Sequence, residues 1–157
     1  MKLAIVGTRE LSGLPVVEKA VKQAMACINS GIKWNPTGFT YNPKDEKHEV
    51  ITEVVSGGAR GVDRLAELYA AKIGVPCKVF EPKKASDKTW VDQMMKARNQ
   101  EIVNYADAMV AIRLPDQSPG TDDAILRMKA AGKPVVVFDL RPIFVEHYDG
   151  NSSISDR

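Results

Sequence analysis

Five short apolar runs limit what this chain can fold into: KLAIV (Lys2–Val6), VITEVVS (Val50–Ser56), PCKVFE (Pro76–Glu81), AMVAIRL (Ala108–Leu114) and PVVVFD (Pro134–Asp139). Each is too short for a helix, rich in β-branched residues and closed by a turn, the pattern of a strand buried on both faces. Helical spacing fills the gaps. Leu14, Val17, Val21, Ala24 and Ile28 recur on one helix face, with Pro15 suited to its first turn and Gly31 to its end. A second helix is expected over about Val62–Ile73, packing Leu65, Ala66, Leu68 and Tyr69 and capped by Gly74. A third runs over Thr89–Asn104, and a fourth follows Thr121 as N-cap. Strands alternating with helices predict a doubly wound α/β domain with a mainly parallel sheet.

At 157 residues and 44% hydrophobic content, the chain suits one domain over residues 1–140. Residues 32–49 (IKWNPTGFTYNPKDEKHE) break the pattern and read as a long loop or loose hairpin; residues 141–157 read as a polar C-terminal tail. A net charge of +2 without a basic stripe argues against nucleic acid as a partner. Cys27 and Cys77 have no metal-ligand spacing and are expected as reduced core residues, while His48 and His147 are isolated. No metal and no cofactor is therefore expected. The apolar start MKLAIV is too short for a signal peptide or a membrane span, which points to a soluble cytoplasmic protein.

In a parallel sheet, ligands bind beyond the carboxyl ends of the strands. Three unusual loops fall there: GTRELSG (Gly7–Gly13), SGGARG (Ser56–Gly61) and LPDQSPGT (Leu114–Thr121). Each combines small residues, free backbone N–H groups and a following helix whose dipole favours an anion. Arg9 and Arg60 add guanidinium forks suited to phosphate or carboxylate. Neither G-x-G-x-x-G nor a Walker A loop occurs, which removes the dinucleotide fingerprint and kinase-like readings.

Three stretches together, VVSGGARGVDRLAELYA, ARNQEIVNYADAMVAI and SPGTDDAILRMKAAGKPVVVF, resemble the SLOG superfamily of Rossmann-like nucleotide-binding proteins. The match is nearest to its YspA-like, YpsA-related branch of small bacterial and phage proteins, and it covers roughly Met1–Asp139. The resemblance implies a five-stranded Rossmann-like sheet, with the apolar runs in spatial order third, second, first, fourth, fifth. It also implies a phosphate-bearing nucleotide or nucleotide-derived (NAD- or ADP-ribose-like) ligand. By that likeness Gly7, Thr8 and Arg9 form a first ligand loop, Ser56, Gly57, Gly58, Ala59, Arg60, Gly61 and Asp63 a second, and Gly120 and Thr121 a third. Arg98 and Asn99 join them from the third helix. The superfamily includes phosphoribohydrolases acting on nucleoside monophosphates and the DNA-processing protein DprA. If the chain resembles the hydrolases in activity, Arg98, Asp122 and Asp123 are the catalytic candidates. Its SPGTDDA departs from their Pro-Gly-Gly-x-Gly-Thr-x-x-Glu by a missing glycine and a shorter acid, which favours a binding or sensing role over N-glycosidic hydrolysis. A DprA-like single-strand DNA role is the third reading.

Plainer roles stand beside these. Asp63 serves equally as a first-turn acid opposing a helix dipole, and Arg98 as a surface partner of Glu101 or Asp92. Trp90 suits core packing, Lys83, Lys84 and Lys88 a solvated loop, and Met94, Met95, Met109 and Met128 core filling. A homo-oligomer is expected through the apolar side of the third helix (Val91, Met94, Met95).

Overall fold

The computed structural model describes residues 1–84 and 87–140. Strands β1 (Lys2–Gly7), β4 (Glu53–Ser56), β5 (Cys77–Val79), β6 (Ala108–Arg113) and β7 (Val135–Asp139) form one sheet; β2 (Ser30–Asn35) and β3 (Gly38–Glu46) form a separate antiparallel pair. The large sheet is parallel throughout, in the order β5-β4-β1-β6-β7. This is the expected Rossmann-like topology: every crossover runs through a helix, and the chain reverses its direction of winding at β1. Leu3 pairs with Val54 on one side and Ala108 on the other, so β1 is the central strand.

Helices α1 (Leu14–Asn29), α2 (Val62–Ile73), α3 (Lys88–Tyr105) and α4 (Pro119–Ala130) cover the sheet. Alternate residues of the central strands divide between two cores. Leu3, Ile5, Val54, Val110 and Ile112 pack with α1 and α2, while Ala4, Val6, Val55, Met109 and Ala111 pack with α3 and α4. Both faces are buried, which is why β1 and β6 read as unbroken apolar runs.

Several expected boundaries shift. The second apolar run pairs only from Glu53, leaving Val50 exposed. Helix α1 ends at Asn29 with Ser30 as its cap, whose Oγ donates to the Cys27 carbonyl (2.7 Å), and Gly31, at φ +71°, is already the second residue of β2. The N-cap of α4 is Ser118, three residues before the expected Thr121, because Pro119 takes the first helical position. Leu68 is exposed on α2, where Leu65, Ala66 and Ala70 make the buried stripe. Cys27 is exposed and Cys77 half-buried, so they are free thiols outside the core proper. Residues 30–46 are an ordered hairpin turned by Pro36 and Thr37. His147 and the proposed tail lie outside the described residues; His48 is exposed. Among the described residues, no helix is long and apolar enough to cross a membrane.

Candidate functional site

At the carboxyl edge of the sheet, where β1 and its neighbours β4 and β6 release their chains into loops, a cleft of about 290 Å³ opens. Its walls include Gly7, Thr8 and Arg9 from the β1 loop, Ala59 from the β4 loop, Asp63 from the first turn of α2, Arg98 and Asn99 from α3, and Gly120 and Thr121 from α4. Nine of the residues singled out in the sequence thus converge on one space.

The glycine-rich loop serves this site mainly from behind. Ser56 Oγ donates to the Asp63 carbonyl (2.7 Å) and accepts from the Gly58 N–H (3.2 Å), tying the end of β4 to the first turn of α2. Gly61 has φ +76°, and a Cβ there would strike the Thr8 carbonyl and sit 2.5 Å from Arg9 Cα. The loops after β1 and β4 touch at this point, and the Val62 N–H donates to the Thr8 carbonyl at 3.0 Å. A Cβ on Gly57 would collide with the Arg98 guanidinium and lie 2.7 Å from Asp63 Oδ2, so this glycine makes room for both side chains. Gly58, at φ +74°, faces Val79 and Glu81 on the β5 side. Ser56, Gly57, Gly58, Arg60 and Gly61 do not line the cleft, whereas Ala59 does. Arg60 is exposed and lies 3.8 Å from Glu10 of the neighbouring loop.

Arg98 and Asn99 are buried on α3 and act as a brace between loops. Arg98 Nη1 donates to the Gly57 carbonyl (2.5 Å) and Nε to Asn99 Oδ1 (3.0 Å). Asn99 Nδ2 in turn reaches the Gly120 carbonyl and Asp123 Oδ2, both at 3.0 Å. One asparagine therefore links the glycine loop, through Arg98, to the first turn of α4. Burial lowers the Arg98 pKa, the Asp63 anion raises it and the Arg9 cation lowers it. The surface pairing considered for Arg98 is not made; Asp92 pairs with Lys96 at 3.0 Å.

Asp63, the second residue of α2, is 5% exposed and lines the cleft. Burial pushes its carboxyl up to about 6, against the pull of Arg98, the Ala59 and Gly7 backbone N–H groups, and Arg9. Its Oδ1 is buried and has no hydrogen-bond partner among the described residues.

The start of α4 supplies the opposite charge preference. No side chain caps it, and Asp122 is the first residue to donate back, to the Ser118 carbonyl at 2.9 Å. Helix geometry leaves the N–H groups of Gly120 and Thr121 without an intrahelical acceptor. Asp122 and Asp123 lie outside the cleft lining. Asp122 pairs with Arg113 (2.7 Å), and Asp123 Oδ2 accepts from Arg127 (2.8 Å) as well as Asn99. Burial alone raises the Asp123 pKa; the bonds from Arg127 and Asn99 outweigh it and hold it below the usual range.

Sequence reasoning missed Glu10, Met95, Gln117 and Ser118 in the cleft wall. Met95 sits one turn before Arg98 and Asn99 on α3, a spacing that could have placed it in the cleft wall and not among core residues. Met109 and Met128 are indeed core residues, whereas Trp90 is 52% exposed. Lys83, Lys84 and Lys88 are exposed, as a solvated loop and helix start require.

No family model and no curated protein matches the chain. Solved structures do. The structural-genomics target TM1055 aligns over 85% of this chain and 71% of its own at TM-score 0.50 and 19% identity. DNA processing protein A (DprA) from Streptococcus pneumoniae aligns over 92% of this chain at TM-score 0.54 and 16% identity. The chain spans 52% of DprA's length. At these identities the likeness is one of fold.

Proposed function

We propose that the cleft binds a phosphate-bearing nucleotide or nucleotide-derived ligand, and that the chain recognises this ligand without turning it over. One observation carries the reading: the unsatisfied N–H groups at the start of α4 share a cleft with Arg9 and Arg98. Backbone donors and a helix dipole on one wall, with guanidinium groups on another, form an anion site in which the phosphate needs no metal. Hydrolysis by Asp122 or Asp123 is the weaker reading, since Arg113 holds one and Arg127 with Asn99 the other.

Arg9 is exposed and outside the Arg98 brace, so Arg9→Gln tests binding with little risk to folding. Loss of a charge-assisted contact should weaken AMP binding about tenfold in titration calorimetry. The wild type should release no free base from AMP. Equal affinity in the variant, or base release by the wild type, counts against the proposal.

A homo-oligomer through α3 belongs to the same reading, because Val91 and Trp90 are about half exposed on that helix. Light scattering should give a dimer or larger for the wild type and a monomer for Val91→Lys. A monomeric wild type at high concentration removes this part.

A further inference from the structure

Two carboxylates line the cleft, Glu10 exposed and Asp63 buried, and it is the buried one that an anion site does not explain. A buried polar atom without a partner costs about 1–3 kcal/mol, and native structures leave few of them. Phosphate recognition makes the difficulty worse, since a carboxylate near the ligand repels it. Two local roles could account for the residue. As a first-turn acid it faces the dipole of α2, and as an anion it lies near Arg98 and Arg9. Even with the Ala59 and Gly7 N–H groups beside the carboxyl, Oδ1 is buried without a hydrogen-bond partner among the described residues, on a residue that lines the cleft.

We propose that the carboxylate of Asp63 accepts a hydrogen bond from a hydroxyl of the ligand's sugar, so that the site selects a phosphorylated polyhydroxyl group over phosphate alone. This deepens the phosphate reading and rests on it. Three observations fix the chemistry of the missing partner. An ionised carboxylate accepts and cannot donate, so the ligand supplies a donor. Arg98 and Arg9 already place positive charge around Asp63, which disfavours an ammonium and leaves a neutral O–H or N–H. The cleft, at about 290 Å³, lies at the lower end of small-molecule pockets, about 300 Å³. A phosphate seated against α4 leaves space for the adjoining sugar, and the hydroxyls are the donors that space brings within the cleft.

The test uses three probes on the wild type, on Asp63→Asn and on Asp63→Ala: inorganic phosphate, methyl phosphate and ribose 5-phosphate. Methyl phosphate is an ester with no hydroxyl. The wild type should bind ribose 5-phosphate at least tenfold more tightly than methyl phosphate. Asp63→Ala, which keeps no accepting oxygen, should abolish most of that difference, and Asp63→Asn, which keeps a neutral one, should reduce it; both should bind inorganic phosphate as well as the wild type or better, one negative charge having gone. A purely structural role for Asp63 would change the melting temperature and weaken all three probes alike, leaving their ratio intact; that result overturns the proposal. Should the variants fail to fold, the wild-type comparison decides by itself, and equal affinity for the two esters rejects the sugar contact. Binding of methyl phosphate without any gain from ribose leaves the anion site standing and removes the role of Asp63. Absence of binding by every probe removes both.

Discussion

Asp63 is the residue whose ionisation the fold opposes, and this has a consequence for stability that needs no ligand. Its carboxyl titrates near 6 in the folded protein, principally because it is buried, and near 3.9 in the unfolded chain. Between those values the folded state holds more protons, so the contribution is fully present below about pH 4 and is lost as pH rises through 6. A shift of about two units corresponds to about 3 kcal/mol between the ends of that window. Asp123 has the opposite sign, held below its usual range by its partners and losing stability on acidification. Comparison with Asp63→Asn separates the two. Between pH 7.5 and 5, denaturant unfolding without ligand should show the wild type gaining about 1.4 kcal/mol relative to the variant, roughly half of the full effect. Parallel pH profiles for the two proteins would mean that Asp63 ionises normally. The glycines next to it are a different case: Gly57 is required by the Arg98 and Asp63 side chains and Gly61 by the touching loop, so their value lies in what they let approach.

Helices and strands were legible where burial set the pattern. In α2, Val62, Leu65, Ala66 and Ala70 follow the period of a one-faced helix, and the helix spans Val62–Ile73 as read from the sequence. Leu68 was misplaced because hydrophobicity alone does not distinguish a buried leucine from an exposed one; its angular position, opposite that stripe, does. The start of α3 at Lys88 is set by Asp87, whose side chain accepts the Trp90 N–H at 3.0 Å, a cap obscured in the sequence by the adjacent lysines and serine. Of the candidate site, the loops at the sheet edge were legible, since topology puts strand carboxyl ends together. Which loop atoms face the cleft was not, because that depends on side-chain contacts between elements distant in sequence, such as Arg98 with Gly57. Element packing makes its own prediction. Leu65→Ala should cost about 2–5 kcal/mol, as a buried leucine truncation does, whereas Leu68→Lys should stay within about 0.5 kcal/mol. Chemical denaturation measures both, and comparable losses would contradict the buried face assigned to α2.

At the level of the whole molecule, the five-stranded sheet and the β2–β3 hairpin are separate hydrogen-bonded units joined through the end of α1. The hairpin contributes no residue to the cleft and no rung to the large sheet. Its two ends are pinned together: Lys47 N–H donates to the Asn29 carbonyl (3.1 Å), and the Asn29 side chain both donates to the Glu49 carbonyl (3.2 Å) and accepts from its N–H (3.0 Å). The chain therefore leaves α1 and returns toward β4 at nearly the same place, and a short link can replace what lies between. Substituting Gly31–Glu46 by Gly-Ser-Gly should retain the parallel sheet, since the contacts that bury Val54 and Val55 come from β1, β5 and the covering helices. Loop length changes closure entropy only slowly, about 0.6 kcal/mol per doubling, so the shorter link carries no large entropic term of its own. The shortened chain should show a cooperative thermal transition and bind the same phosphate probes within about twofold of the full chain, a difference of about 0.4 kcal/mol. Two measurements, a calorimetric melt and one titration, suffice. A chain that no longer unfolds cooperatively would make the hairpin part of the folding unit. A folded chain that has lost phosphate affinity would place the hairpin's influence at the cleft, by way of α1 and the β1 loop that precedes it.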